Sequence, residues 1–115
     1  MKIKVYGIRN CDTMKKAFAW LDERKLAYDF HDYKKEGASA AKLKEWAARV
    51  GWEKLANTRG LTWRRTIPDA RKAGLTAASA LALLEAYPSA IRRPIVEIGT
   101  KMLVGFEPVE FESAL

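Results

Sequence analysis

"VYGIRNCDTMKKA", residues 5–17, changes period in its middle. Before it, Ile3 and Val5 alternate with Lys2 and Lys4, and Tyr6 and Ile8 follow, which predicts an N-terminal strand over "KIKVYGI". After it, Met14, Ala17, Phe18 and Leu21 recur at helical spacing, with Lys15, Lys16, Asp22 and Glu23 off that face. Cys11 stands between the two patterns. "YDFHDY", residues 28–33, alternates again and predicts a second strand. The βαβ unit so formed is long enough for a right-handed parallel crossover.

Outward from that unit the punctuation is clear. "KKEGAS" reads as a loop. Ser39 caps a helix whose face carries Ala40, Leu43, Trp46, Ala47 and Val50, and Gly51 ends it. "WEKLANTRG" reads as a short helix turning into a loop at Gly60. "LTWRRTIPDARKAG" predicts short, irregular helices around Pro68 and Gly74. Thr76 caps "AASALALLEAY", and Pro88 stops it. "RRPIVEIGTKMLVGF" reads as a hairpin turning at "GT", and "EPVEFESAL" as a terminal helix with Pro108 in its first turn. The order βαβ, helical middle, ββα predicts an α/β fold. It is a thioredoxin-like small mixed sheet flanked by helices, with a helical insertion over about 38–90 within a single domain, 1–115.

Composition narrows the function classes. The chain has 115 residues, enough for one core. No apolar run reaches the roughly 20 residues that span a bilayer, and "MKIKVYGIRN" lacks the apolar stretch of a signal peptide. A cytoplasmic protein with no membrane partner is expected. One cysteine forms no internal disulfide, and one histidine, His31, excludes the common Cys/His zinc clusters, so no metal is expected. The net charge of +7 favours acidic partners. The basic residues are spread along the chain, however, with no nucleic-acid motif, and nucleic acid is not an expected partner.

Cys11 lies past the carboxyl end of a strand and at the entrance to a helix. Ligands of open α/β sheets bind at that edge. Unpaired N–H groups at a helix start stabilise a thiolate. Arg9, Lys15 and Lys16 add positive charge in the sequence around it, and Asp12 opposes them. A buried, inert thiol is the commoner fate of a free cysteine, but a strand-to-helix junction is usually surface. Met14 occupies the place of a second cysteine three residues on, so Cys11 would act as a single thiol with an external resolving thiol. His31, among aromatics, reads as structural.

Four segments taken in order, "VYGIRNCDTMKKA", "YDFHDYKKEG", "LANTRGLTWR" and "IRRPIVEIGTKMLVGF", resemble the ArsC-like family of arsenate reductases, Spx and YffB proteins within the thioredoxin superfamily. The YffB-like branch is the nearest match. The resemblance runs from residue 2 to about 112. It implies Cys11 as the active-site cysteine, Arg59 and Arg93 as arginines serving it, and Pro94 as a cis-proline facing it. Asn10, Thr13, Arg64 and Pro94 are the substrate-binding residues expected with it, Arg64 for a glutathione carboxylate. An arginine fork suits the oxyanions and carboxylates such chemistry handles. The arsenate reductases carry a third arginine after the hairpin turn; here Val104 or Gly105 falls there, and at most poor arsenate reduction is expected. Many Spx proteins carry a CxxC pair, which Cys11 and Met14 replace.

Two function classes follow. One is a glutathione-dependent thiol/disulfide reductase, with glutathione as co-substrate and a glutathionylated or disulfide substrate. The other is an Spx-like non-catalytic module that docks on RNA polymerase or another protein partner.

Overall fold

The computed structural model describes residues 2–115; Met1, where the expected 1–115 domain begins, lies outside them. The chain forms two compact units. One comprises residues up to Tyr33 together with Arg93–Leu115, and the other is Lys34–Arg92.

The first unit holds the sheet. Strand β1 (Ile3–Gly7) leads to helix α1 (Asp12–Glu23) and strand β2 (Asp29–Asp32). Strands β3 (Ile95–Ile98) and β4 (Lys101–Val104) form the hairpin, and helix α7 (Pro108–Ala114) ends the chain. The strand order is β2-β1-β3-β4. β1 pairs parallel with β2 and antiparallel with β3, so the sheet is mixed, as the βαβ and ββα patterns imply. Register follows from burying one face. Val5 lies opposite both Phe30 and Val96, and these residues pack with Ile3, Ile98, Met14, Ala17, Leu21 and Phe111. Tyr6, opposite His31 and Ile95, points to the other face. Gly99, with φ +57°, makes the hairpin turn where a side chain would be strained.

The second unit is helical. Helices α3 (Ala40–Val50), α4 (Trp52–Leu55), α5 (Asp69–Lys72) and α6 (Ala77–Ala86) are joined by a π-helical turn at Thr62–Thr66 and followed by a 3₁₀ turn at Pro88–Ala90. Its caps are those the sequence announces. Ser39 Oγ accepts from the Lys42 N–H at 3.1 Å, and Thr76 and Ser79 form a reciprocal capping box. Gly51 closes α3, its N–H bonded to the Ala47 carbonyl. Backbone bonds from Asn57 N–H to Ala90 O (2.8 Å) and from Arg92 N–H to Leu55 O (2.6 Å) tie the two ends of its helical stretch together.

One segment differs from the sequence reading. Tyr33 leaves the second strand and, with "KKE", forms helix α2 (Tyr33–Glu36), where a loop was expected; the loop starts at Gly37, whose φ of +70° ends the turn. "DARK" forms one of the short helices expected in this stretch, and its basic side chains are engaged: Lys72 Nζ donates to the Trp63 carbonyl at 2.7 Å, and the Arg71 guanidinium lies over the Tyr87 ring.

Gly7, the last residue of β1, sits against α1. A Cβ there would come within 2.5 Å of Met14 Sδ and 2.6 Å of its Cε, and Met14 is fully buried. Gly7→Ala should therefore destabilise the protein by about 1–3 kcal/mol through overpacking, measured by urea unfolding. Gly7→Ala combined with Met14→Ala should lose less than the two single losses added together, because each change relieves the other. Strict additivity would place the cost of the alanine elsewhere.

Candidate functional site

Cys11 is the N-cap residue of α1. Its backbone is extended (φ −141°, ψ 135°), and its carbonyl accepts the Lys15 N–H at 2.9 Å, the first bond of the helix. That conformation leaves the sulfur half-exposed at the helix entrance, where the first N–H groups have no intrahelical partner. Arg93, which precedes β3, reaches it across the sheet end. Its Nε donates to Cys11 Sγ at 3.4 Å, within the range for a bond to sulfur. The antiparallel pairing of β1 with β3, Tyr6 opposite Ile95, brings these residues together from opposite ends of the chain.

Partial burial pushes the Cys11 thiol up. Against this act the Arg93 hydrogen bond, then the Met14 and Thr13 backbone N–H groups, then the charge of Arg93. The lowering influences win, and the thiol sits below its ordinary value. The Thr13 and Met14 amides act here as oriented dipoles, since no formal capping bond from the Cys11 side chain forms. The positive charge comes from a different source than the neighbouring sequence suggests. Arg9 lies over the Phe30 ring at 5.0 Å, and neither it nor Lys15 nor Lys16 contributes to the shift.

The Arg93–Pro94 peptide bond is cis. Pro94 is buried, and its carbonyl accepts the Gly105 N–H at 2.8 Å. Val104, opposite Ile95, is buried in the sheet, and Gly105 has a φ of +81°. This stretch therefore offers Pro94 a backbone donor and no side-chain cation. Asn10 and Thr13 flank Cys11 and are exposed. Arg59 and Arg64 belong to the second unit. Arg59 is exposed beside the turn closed by Gly60 N–H and Asn57 O, and Arg64 is exposed on the π-helical turn.

Three residues not singled out as functional in the sequence stand on the sheet face that carries Tyr6. Tyr6 Oη donates to Glu97 Oε1 at 2.8 Å, and Tyr33 is buried nearby, its ring 6.0 Å from that of His31. Glu97 had a signal: it is the one charged residue in the strand "IVEI". Among the described residues no group of three His, Cys, Asp or Glu is arranged to hold a metal ion, and no helix is long and apolar enough to cross a membrane. An apolar groove of about 640 Å³ between α3 and α6, lined mostly by alanines with Lys44 and Glu85, carries no nucleophile.

The ArsC family pattern matches residues 6–114. This chain belongs to the ArsC family. It is 38% identical over 112 residues to a protein of Haemophilus influenzae, with 97% of each chain covered. A solved structure named YffB is 48% identical, with a TM-score of 0.95 and 99% of both chains covered. An ArsC-related protein of Brucella melitensis is 45% identical, with a TM-score of 0.77, covering 98% of this chain and 93% of that one. An arsenate reductase of Vibrio cholerae, 19% identical with a TM-score of 0.84 over 100% and 98% of the chains, shares the fold. The ArsC chain thus has the thioredoxin-like fold of thiol-dependent reductases.

If Arg93 stabilises the thiolate, alkylation of Cys11 by iodoacetamide should rise with pH to a midpoint below the value of about 8.5 for a free cysteine. In Arg93→Ala the burial that raises the pKa remains while the strongest lowering contact is lost, so the midpoint should move up. An unmoved midpoint would take Arg93 out of the site.

Proposed function

We propose that this ArsC-family protein is a glutathione-dependent thiol/disulfide reductase in which Cys11 is the sole nucleophile. The observation that carries the reading is the Arg93 Nε–Cys11 Sγ hydrogen bond at the start of α1. A thiolate stabilised by a permanent cation and helix amides is both a nucleophile near neutral pH and a good leaving group.

Two exchanges complete the cycle. The Cys11 thiolate attacks the glutathione sulfur of a mixed disulfide; a sulfur–sulfur bond to Cys11 forms, and the substrate leaves as a thiolate that takes a proton. The thiolate of a second glutathione then attacks that same glutathione sulfur. Oxidised glutathione leaves, and Cys11 returns as a thiolate beside Arg93. The mixed disulfide is reduced to a free thiol, and one free glutathione is oxidised, leaving as oxidised glutathione with the one the substrate carried. An internal route is not used, because the position three residues on is Met14, fully buried. Pro94, Asn10 and Thr13 border Cys11 in sequence or space and serve substrate binding in this reading. Arg59 and Arg64 enter it by family resemblance alone, as contacts for glutathione carboxylates.

Arsenate is a poor substrate in this reading. Its reduction must stabilise negative charge spread over an arsenic–sulfur intermediate. Each preorganised donor aimed at such charge contributes about 3–4 kcal/mol, and Val104 and Gly105 supply none from their side chains.

The test is turnover of a glutathionylated peptide by purified protein with reduced glutathione. Wild type should turn over, Cys11→Ser should not, and Arg93→Ala should lose about a hundredfold in kcat/KM. Arsenate turnover should be slow by comparison. Strong Cys11-dependent arsenate reduction without deglutathionylation would overturn the substrate assignment. No Cys11-dependent turnover of either would favour a docking module for a protein partner.

A further inference from the structure

Helix α6 is apolar on nearly every side. In its sequence, "AASALALLEA", Glu85 is the only charged residue, and Ser79 is committed to the capping box. A helix of that kind is normally enclosed, whereas a surface helix carries polar residues on its outer face. Here Ala80, Leu83 and Leu84 are buried, and the other side is left open: Ala78, Ala82 and Glu85 are exposed, and Leu81 is half-buried. Helix propensity does not account for this. Glutamate, lysine and glutamine serve a helix nearly as well as alanine, and water solvates them better.

The open face continues onto a neighbour. α3 packs beside α6 in the second unit, and the two line the apolar groove of about 640 Å³, to which α3 contributes Lys44 and Ala48. Alanines suit such a groove for docking. They lose no side-chain rotamers on burial, and they let an incoming helix approach closely. Leu81 is the one large apolar side chain among the lining residues.

The charges at the groove identify its occupant. Lysines and arginines outnumber acids over residues 34–92, and an acidic partner would be drawn to those cations. The groove departs from that excess, with one cation, Lys44, and one anion, Glu85. Among the described residues neither of the two makes an ion pair. A face with one unpaired charge of each sign is complementary to itself. Turned about a two-fold axis, it sets the lysine of each copy against the glutamate of the other.

We propose that the α3–α6 groove is the interface of a symmetric dimer and that its occupant is α6 of a second copy of this chain. Leu81 of each copy seats among the alanines of the other, and Lys44 of each pairs with Glu85 of the other. A helix of this length is only about 15 Å long, so the contact is at the low end of specific interfaces. The dimer is correspondingly weak, with a Kd on the order of tens of micromolar. The inference is independent of the chemistry at Cys11.

The experiment is sedimentation velocity of the whole chain at physiological ionic strength, from about 5 to about 500 µM, where screening shortens the repulsion between two basic copies to about 8 Å. Wild type should pass from monomer to dimer and stop there. Ala82→Glu, an exposed change to a good helix former, should keep thermal stability and stay monomeric throughout. Lys44→Glu and Glu85→Lys should each raise the Kd about tenfold, because the two-fold axis repeats every repulsion, and the two combined should restore the wild-type Kd. A wild type that is monomeric at every concentration would overturn the proposal, as would masses that grow beyond the dimer. So would a dimer that Ala82→Glu leaves intact, or a charge exchange that restores nothing. Should Ala82→Glu fail to fold, the charge variants decide alone.

Discussion

A single hydrogen bond, Arg93 Nε to Cys11 Sγ, depends on nearly every choice made in the first unit. It needs β1 and β3 to pair antiparallel with Tyr6 opposite Ile95, so that Arg93 arrives where β1 ends. It needs Gly7 bare, because a side chain there would collide with Met14 and displace the start of α1. It needs Cys11 in an extended conformation while its carbonyl begins the helix. The hairpin contributes by fixing Pro94 through the Gly105 N–H. The sulfur is consequently held by groups far apart in sequence, and each is fixed by packing rather than by its neighbours along the chain.

Much of the fold was legible because its signals are local. Alternation in "KIKV", helical spacing from Met14 to Leu21, the caps Ser39 and Thr76, and the "GT" turn each act within a few residues. Tyr33 was misread as strand and the next residues as loop, since a one-turn helix closed by Gly37 has too few residues to show a period. The π-helical turn at Thr62–Thr66 was readable only as irregularity around Pro68.

The candidate site was legible in part. The period change around residue 11 placed Cys11 at the junction of strand and helix. The cation beside it could not be read that way. Arg9 is close in number but lies over Phe30, whereas Arg93 is 82 positions away and only strand pairing delivers it. Only the likeness to a known family drew attention to that arginine.

The pairing of Arg93 with Cys11 also decides which sulfur state the protein rests in. Arg93 and the amides at the head of α1 are arranged for a negative sulfur. Every adduct on Cys11 makes that sulfur neutral and leaves the same donors facing nothing they were set to hold. The free energy gained by the thiolate is therefore withheld from any disulfide formed there. Such a disulfide is more oxidising than one between ordinary thiols, and it yields its adduct more readily. Because Met14 stands where a second thiol could have captured the change, no internal bond stores it. On the reading of Cys11 as the nucleophile, the reduced sulfur is the state to which the protein returns, and the ratio of thiol to disulfide around it sets how long any departure lasts.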